Sequence, residues 1–274
     1  MGGRHRMSVI AGRAYAHLVR QGVSRRTALR GPWNADGRMT LVTVDFHSTD
    51  HVRRLIRSFR RFVDPDGPVV VAQNGALRDN RRLRSENVRC VGRGINIGHG
   101  LGLDLGLRHV RTEYAFVADP DSVILNDRFG PEVLQRVQAH GACSIGRDYY
   151  HPVCLVFPVG LWKGRPLSLE EDYQAGLDVA ARLTDVLGGV APGSQLELTR
   201  AAPVPYSPQW RGACYGQVWS EVFSNTYAMA RKLAPGTEDL DGYPRGAHDE
   251  YHRRWAAWAD GVVAGSTTVE DFPT

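Results

Sequence analysis

A regular alternation of short apolar runs with helical patterns, between residues 39 and 121, constrains the fold of this chain more than any other feature. Continuous apolar runs rich in β-branched residues are typical of strands that are buried on both faces of a parallel sheet. Strands and helices that alternate in this way build such a sheet with right-handed crossovers. The sequence therefore predicts an α/β fold with a Rossmann-like, mostly parallel central sheet flanked by helices. The predicted strands are 41–44, 69–72, 87–91 and 114–118, and the predicted helices are 52–59 and 101–110.

Polar residues follow three of these strands at the point where each strand ends. They occupy residues 45–48, 73–75 and 119–121. Ligands of open parallel sheets bind beyond the carboxyl ends of the strands. We therefore expect the three segments to lie together and to form a binding site.

The third segment, Asp119-Pro120-Asp121, carries two carboxylates separated by one residue. Two such side chains can point to the same side of a turn and hold a divalent cation through their oxygens. A cation in that position stabilises the negative charge that develops on a leaving diphosphate. Asp119 and Asp121 are therefore expected to be metal ligands.

A glycine-rich turn comes before the second predicted helix. Gly98 and Gly100 have no Cβ, so a sugar or a diphosphate can approach their backbone closely. Asn96 offers a polar side chain at the mouth of the same helix. Close packing of the helix on the sheet is the alternative reason for such glycines, above all for Gly106.

The chain is predicted to consist of a basic N-terminal extension, residues 1–37, and one domain, residues 38–274. The extension contains a short helical pattern through Ile10, Ala14, Leu18 and Val19. In the second half of the domain, Ser168 is expected to cap a long helix. The elements predicted there are helices over 132–139, 168–187 and 249–259, strands over 142–145 and 154–157, and a loop over 191–217.

The formal net charge of +5 is compatible with nucleic acid, a membrane surface or an anionic small ligand. No aromatic RNA-binding signature and no zinc-finger spacing accompanies the charge, so we expect a phosphate-bearing small molecule and no nucleic acid. The four cysteines are far apart, which favours the reducing cytoplasm. No apolar run approaches the roughly 18 residues that a membrane span needs. Composition leaves a homodimer open.

Five motifs over residues 39–130 resemble, in order and spacing, those of GT-A fold glycosyltransferases of the family 2-like, rhamnosyltransferase-like group. In that family the first strand ends in a Thr-Tyr-Asn-Ser-like turn and the second in an Asp-Asn-Gly-like turn. An Asn-x-Gly-x-Gly motif, a second Asn-x-Gly and a Pro-Asp or Asp-x-Asp motif follow. The counterparts in this chain are Val44-Asp45-Phe46-His47-Ser48, Gln73-Asn74-Gly75, Asn96-Ile97-Gly98-His99-Gly100, Asp104-Leu105-Gly106 and Asp119-Pro120-Asp121.

The resemblance implies a metal-dependent, inverting glycosyltransferase that moves a sugar from a nucleoside diphosphate sugar to a small-molecule or glycan acceptor. It implies Mn²⁺ or Mg²⁺ as the cofactor, a donor-binding half over residues 38–130 and an acceptor-binding half over residues 131–274. The residues that it places at the donor are Asp45, His47, Gln73, Asn74, Asn96, Gly98, Gly100, Asp104 and Asp119.

Two further roles follow from the same resemblance. Relatives place an acidic pair at the start of a helix in the second half, and Glu170-Glu171-Asp172 is similar to it, which implies that Asp172 or Glu171 is the general base. An acidic first turn is also a common electrostatic feature of helices. Many GT-A enzymes complete the metal site with a histidine near the C-terminus, and His248 resembles that ligand by position.

The chain departs from the family pattern at two donor positions. Gln73 stands where relatives have an acidic residue that reads the base, and Asp104 replaces the second asparagine. The nucleotide is therefore left open, although the amide of Gln73 can still hydrogen-bond the edge of a base.

Two other functions compete with sugar transfer. A sugar nucleotidylyltransferase shares the α/β layout, but it carries a glycine-rich phosphate loop with Arg or Lys after the first strand, which residues 45–48 lack. A catalytically silent nucleotide-sugar-binding scaffold subunit would bind the donor without turnover.

Overall fold

Two β-sheets and the surrounding helices make up the computed structural model of the chain. The residues that it describes are 14–19, 37–75, 83, 88–145, 149–163, 167–170, 179–197, 200–202, 217–219, 223–225 and 245–271. The strands are β1 (Met39–Asp45), β2 (Val69–Gln73), β3 (Arg89–Val91), β4 (Tyr114–Ala118), β5 (Ser122–Ile124), β6 (Cys143–Ile145), β7 (Cys154–Pro158), β8 (Gln195–Leu196), β9 (Arg200–Ala202), β10 (Gln217–Trp219) and β11 (Phe223–Asn225). The helices are α1 (14–19), α2 (Thr49–Phe62), α3 (His99–Leu107), α4 (Phe129–His140), α5 (Val159–Lys163), α6 (Ala181–Leu187) and α7 (Arg245–Ala264).

The larger sheet has seven strands in the order β3-β2-β1-β4-β7-β6-β8. Strand β1 pairs in parallel with both β2 and β4, β2 pairs in parallel with β3, and β6 with β8. Only β7 runs against its neighbours, β4 and β6. The predicted Rossmann-like, mostly parallel α/β fold is therefore confirmed.

Alternate side chains of the central strands pack on opposite faces of this sheet. Leu41 and Val69 lie in one apolar cluster with residues of α2 and α4, while Val42 and Val44 lie in a second cluster with residues of α3. Every residue of α3 except His99 is buried. The helix is enclosed on all sides, which explains its nearly continuous apolar sequence.

The smaller sheet is antiparallel, with the order β5-β11-β10-β9. Trp255 and Trp258 of α7 pack with Val123 and Leu125 in a third apolar cluster. Helix α7 confirms the predicted terminal helix, whereas β8 and β9 correct the prediction of a loop over 191–217, because short strands pair there. None of the helices in the described part of the chain is long and apolar enough to cross a membrane.

The long helix predicted over 168–187 is wrong. Residues 167–170 are not helical, and α6 begins only after Ala180, whose φ of 64° lies in the left-handed region. The physical reason is tertiary, because the hydroxyl of Ser168 and the N–H of Leu169 both donate to the carboxylate of Asp104. Those bonds replace the helix cap that the local sequence favours.

Helix α1 packs on the main core through Tyr15, Ala16 and Val19. The helix agrees with the helical pattern predicted there, and Ala14 and Leu18 of that pattern are exposed. The guanidinium of Arg93 lies over the Tyr15 ring, 5.6 Å from its centroid. Ile10 lies outside the described residues.

Candidate functional site

The ends of β1 and β2 are fastened to each other by their backbones. The N–H groups of Asn74 and Gly75 both donate to the carbonyl of Asp45, at 2.9 and 3.1 Å. A Cβ on Gly75 would lie 3.0 Å from the backbone nitrogen of His47, so the two turns are in contact. His47 itself is exposed and adopts a φ of 56°, which is uncommon for a residue other than glycine.

The glycine turn before α3 is joined to the turn after β2. The side-chain amide of Asn74 donates to the carbonyl of Gly98 at 2.7 Å. The N–H of Gly98 donates to the side-chain oxygen of Asn96 at 3.0 Å. Gly98 has a φ of 93°, a conformation that a side chain would strain. Asn96 is exposed at the entry of the helix, where the sequence predicts it.

The same turn reaches the end of β4 through His99. Its Nε2 atom lies 3.0 Å from Oδ1 of Asp119, whose side chain is 14% exposed. Asp121, two residues further on, is buried. Together these two residues flank the turn that connects β4 of the larger sheet to β5 of the smaller one. The three predicted strand ends and the glycine turn therefore form one continuous site.

The groups around Asp119 fit a divalent cation by their chemistry. Carboxylate oxygen and imidazole nitrogen are both donors that Mn²⁺ accepts. No group of three or more His, Cys, Asp or Glu side chains surrounds a common point in the described part of the chain. A cation held by one or two carboxylates, with water and substrate phosphates as its other ligands, needs no such group. The side chain of His248 lies outside the described residues.

The carboxylate of Asp45 is buried and turned towards the protein. It accepts hydrogen bonds from the N–H of Ser48 at 2.9 Å and from the hydroxyl of Thr49 at 2.8 Å. The side-chain amide of Gln73 donates to it at 3.5 Å. Asp45 thus holds the first turn of α2 and the side chain of Gln73, instead of presenting its carboxylate to a ligand as the sequence predicts.

Gln73 carries a buried acceptor that no described residue uses. The side chain is 1% exposed, and its amide nitrogen faces Asp45, so Oε1 points away from that carboxylate. A buried acceptor without a donor costs on the order of 1–3 kcal/mol. An N–H group of a ligand would remove that cost.

The structure corrects the predicted task of Gly100. A Cβ on Gly100 would lie 2.2 Å from the carbonyl oxygen of Leu169 and 2.6 Å from the Cα of Glu170. The space above this glycine is therefore filled by the backbone of residues 169–170, not left open for a sugar or a diphosphate. Gly106 packs against Val42 of the sheet, which is the alternative that the sequence left open.

Asp104 also has a different task from the predicted donor contact. It is 4% exposed, and its carboxylate accepts hydrogen bonds from the indole N–H of Trp162 at 3.1 Å, from the N–H of Leu169 at 3.0 Å and from the hydroxyl of Ser168. Burial raises the pKa of Asp104 to about 6, although these hydrogen bonds and the charge of Arg108 act in the opposite direction. The hydrogen-bond donors that the structure describes around this carboxylate are all groups of the protein itself.

The structure brings His99 and Glu170 to the site, two residues for which the sequence predicts no role. His99 adjoins two glycines in an otherwise apolar helix start, and an isolated ionisable residue there is the available signal. Glu170 reaches the glycine turn only because residues 168–170 lie on α3. Glu171 and Asp172, the predicted general base, lie outside the described residues.

No family model matches the chain, and no curated protein matches it. Among solved structures, it is similar to residues 1–349 of S. aureus TarS, with 14% identity and a TM-score of 0.40 over 49% of this chain and 50% of that one. The same region of TarS has been solved with UDP-GlcNAc. The match spans about half the length of that structure.

The chain is also similar to the mannosyltransferase PcManGT from Pyrobaculum calidifontis, solved in complex with GDP-Man and Mn²⁺. The identity is 14% and the TM-score 0.48, over 95% of this chain and 82% of that one. These likenesses concern the fold alone.

Proposed function

We propose that the chain is a glycosyltransferase that uses a nucleoside diphosphate sugar and a divalent cation. The observation that carries this proposal is the joining of the turn after β2, the glycine turn and Asp119. Asn74 links the first two at 2.7 Å, and His99 links the glycine turn to Asp119 at 3.0 Å. A nucleoside, a diphosphate and a sugar in one extended ligand need polar groups along one edge of the sheet.

In this proposal the diphosphate binds at Asp119. Its carboxylate, with that of Asp121 and the imidazole of His248, would hold Mn²⁺ or Mg²⁺, which supplies positive charge to the leaving diphosphate. His99 fixes the orientation of the Asp119 carboxylate through their close contact. Asn96, exposed at the entry of α3, faces the donor sugar.

The nucleoside binds beside Gln73. Its Oε1 atom accepts an N–H of the base, because Asp45 holds the amide nitrogen on the opposite side. Asn74 acts through the glycine turn that it holds, and the exposed His47 lies beside Gly75 at the same strand ends. An acceptor at this position favours bases that present an N–H group and does not by itself choose among them.

The acceptor, a small molecule or a glycan, is activated by Glu171 or Asp172, which removes a proton from its hydroxyl. Direct attack of that hydroxyl on the donor sugar makes the reaction inverting. We place the reaction in the cytoplasm, where the buried thiols of Cys90, Cys143 and Cys154 stay reduced.

The test measures thermal stability and product release with UDP-, GDP-, TDP- and ADP-sugars, each with Mn²⁺ or with EDTA. A donor at a hundred times its Kd adds about 2.7 kcal/mol to the stability, so one nucleotide series should raise the Tm, and only with the metal. The same donor should release its nucleoside diphosphate on incubation. Stabilisation without turnover against a panel of acceptors would support the silent scaffold subunit, and no stabilisation by any donor would contradict nucleotide-sugar binding.

A further inference from the structure

Helix α3 receives different neighbours on two of its faces. Gly102 and Gly106 face the sheet, where a Cβ on either would lie under 3.0 Å from a side-chain carbon of Val44 or Val42. Gly100 and Asp104, also one helical turn apart, face residues 168–170. The second face therefore binds a segment of chain that is distant in sequence. We call this face, formed by Gly100 and Asp104, the seat.

The seat is polar at one end. Both Leu169 N–H and Trp162 Nε1–H donate to Oδ1 of Asp104, and the hydroxyl of Ser168 donates to Oδ2. The oxygen of Ser168 in turn accepts the N–H of Glu170 at 3.0 Å. A chain of hydrogen bonds thus runs from the buried carboxylate to the backbone of Glu170.

The other end of the seat depends on shape. The Cα of Glu170 lies against Gly100, where a side chain would leave no room. Leu169 is fully buried, and its carbonyl accepts the N–H of Ala180 at 3.1 Å. Residues 168–170 are therefore fixed by a side chain, a hydrophobic anchor and a backbone bond.

A carboxylate in this place has a cost that simple packing would avoid. Burying it disfavours its charged form, and an apolar residue of similar size would pack in α3 without that cost. Three donors converge on it, and two of them belong to the segment that it holds. The arrangement indicates that Asp104 serves to position the segment and not to stabilise the helix.

We propose that Asp104 is a positioning residue that holds residues 168–170 against Gly100 at the entry of α3, and so fixes the point from which the acidic run Glu170-Glu171-Asp172 continues. The inference rests on the proposed function, because sugar transfer is the reaction that this acidic run would serve. Asp104 acts through Ser168 and Leu169 and does not touch the donor.

The experiment compares Asp104→Ala with Asp104→Asn. Asparagine keeps an oxygen for Leu169 and Trp162 and an amide for Ser168, whereas alanine keeps neither. We expect kcat to fall about 100-fold in Asp104→Ala, the usual effect of a displaced catalytic group, and to be retained in Asp104→Asn. The Kd of the donor should be unchanged in both variants, because Gln73 and Asp119 keep their contacts.

Amide hydrogen exchange of residues 167–170 gives a second measurement that needs no activity. Protection should be lost in Asp104→Ala and kept in Asp104→Asn. If Asp104→Ala does not fold, Ser168→Ala takes its place as the test, because it removes one donor without emptying the core. It should lower kcat and the protection of these amides together. Unchanged protection or unchanged kcat in folded Asp104→Ala or Ser168→Ala overturns the inference.

The proposed function fails separately, because wild-type protein without donor turnover would refute it before any variant is made. Hydrogen exchange in that case still tests whether Asp104 holds the segment, and kept protection in Asp104→Ala would refute the inference as well.

Discussion

Two walls of the candidate site are held in place by different means. The strand-end wall consists of residues 45–48, 73–75 and 119–121, and the docked segment consists of residues 168–170. Backbone hydrogen bonds and sheet pairing fix the first, as in the two bonds to the Asp45 carbonyl. One buried carboxylate, that of Asp104, accepts hydrogen bonds from Ser168 and Leu169 of the second.

The two walls should therefore respond differently to substitution. Changing Gln73 or Asp119 in the strand-end wall should remove a proposed ligand contact and leave the backbone in position, because the sheet determines that position. Truncating Asp104 to alanine, or adding a side chain at Gly100, should move the backbone of the docked segment itself. Substitutions in the first wall should therefore act on donor and metal binding, and substitutions at the second should act on kcat.

The largest effect is expected for Asp119→Asn. The substitution keeps the size of the side chain and removes the charge that would hold the cation at the diphosphate. We expect donor turnover to fall about a thousand-fold while the Tm changes little, because the backbone of the turn is set by β4 and β5. Turnover is measured at saturating Mn²⁺, and metal affinity by calorimetry.

Asp127→Asn is the matched control for that change, because Asp127 is an exposed aspartate on the loop after β5. It should keep wild-type turnover and wild-type metal affinity. Equal activity of Asp119→Asn and Asp127→Asn would contradict a metal at Asp119 and with it the contrast between the two walls.

The next largest effect concerns stability and pH. The pKa of Asp104 is raised from its usual 3.8 to about 6 by burial, so the folded protein binds this proton more tightly than the unfolded chain does. The contribution of the group to stability is therefore complete below pH 3.8 and is lost as the pH rises through about 6. The loss amounts to about 3 kcal/mol for a rise of this size.

Asp104→Asn removes this proton while keeping the size of the side chain. As the pH rises from 4 to 7, the free energy of unfolding of the variant relative to that of the wild type should increase by up to about 3 kcal/mol. Urea unfolding across that range measures the difference. If the difference in free energy of unfolding between the two proteins is constant with pH, the pKa of Asp104 is not raised in the folded protein.

The contrast between the walls also explains what the sequence predicts. Burial on both faces leaves an unbroken apolar run in β1, β2 and β4, so the ends of these strands follow from local pattern, and with them the common edge at which residues 73–75 and 119–121 lie. The docked segment gives no such signal. Ser168 followed by acidic residues is a good helix start, and the competing partner, Asp104, lies 64 residues away from Ser168 in the sequence.

The sequence does not predict the strands of the smaller sheet, for a related reason. Strands β9, β10 and β11 have three residues each, too few to show an alternation of apolar and polar side chains. Gly100 illustrates the same limit, because a glycine beside a site is equally compatible with a ligand or with another segment of chain above it. Only tertiary contacts distinguish the two.

Gly100→Ala should have a somewhat smaller effect than the loss of Asp119. Its Cβ would lie 2.2 Å from the Leu169 carbonyl oxygen, so residues 169–170 must move. A shift of about 1 Å at a catalytic group costs about 100-fold in kcat. Gly160→Ala in α5 is the control, since a Cβ there meets nothing within 4 Å. Steady-state kinetics decide, and equal kcat values for the two variants would contradict the seat.

The smallest effect is expected for Gln73→Met, which returns to the strand-end wall. Methionine matches glutamine in length and removes the unused buried acceptor, so the donor loses one hydrogen bond to its base and its Kd should rise about tenfold. Because Gln73 lies far from the acidic run in sequence and is set by β2, kcat should stay near that of the wild type.

The control is Thr43→Val, which removes another buried oxygen without a described partner, but in the middle of β1 and away from the strand end. Calorimetric titration with the nucleoside diphosphate measures both variants. If Thr43→Val weakens the donor as much as Gln73→Met does, the loss reflects a disturbed sheet and not a contact to the base, and the strand-end wall is then no more tolerant of substitution than the docked segment.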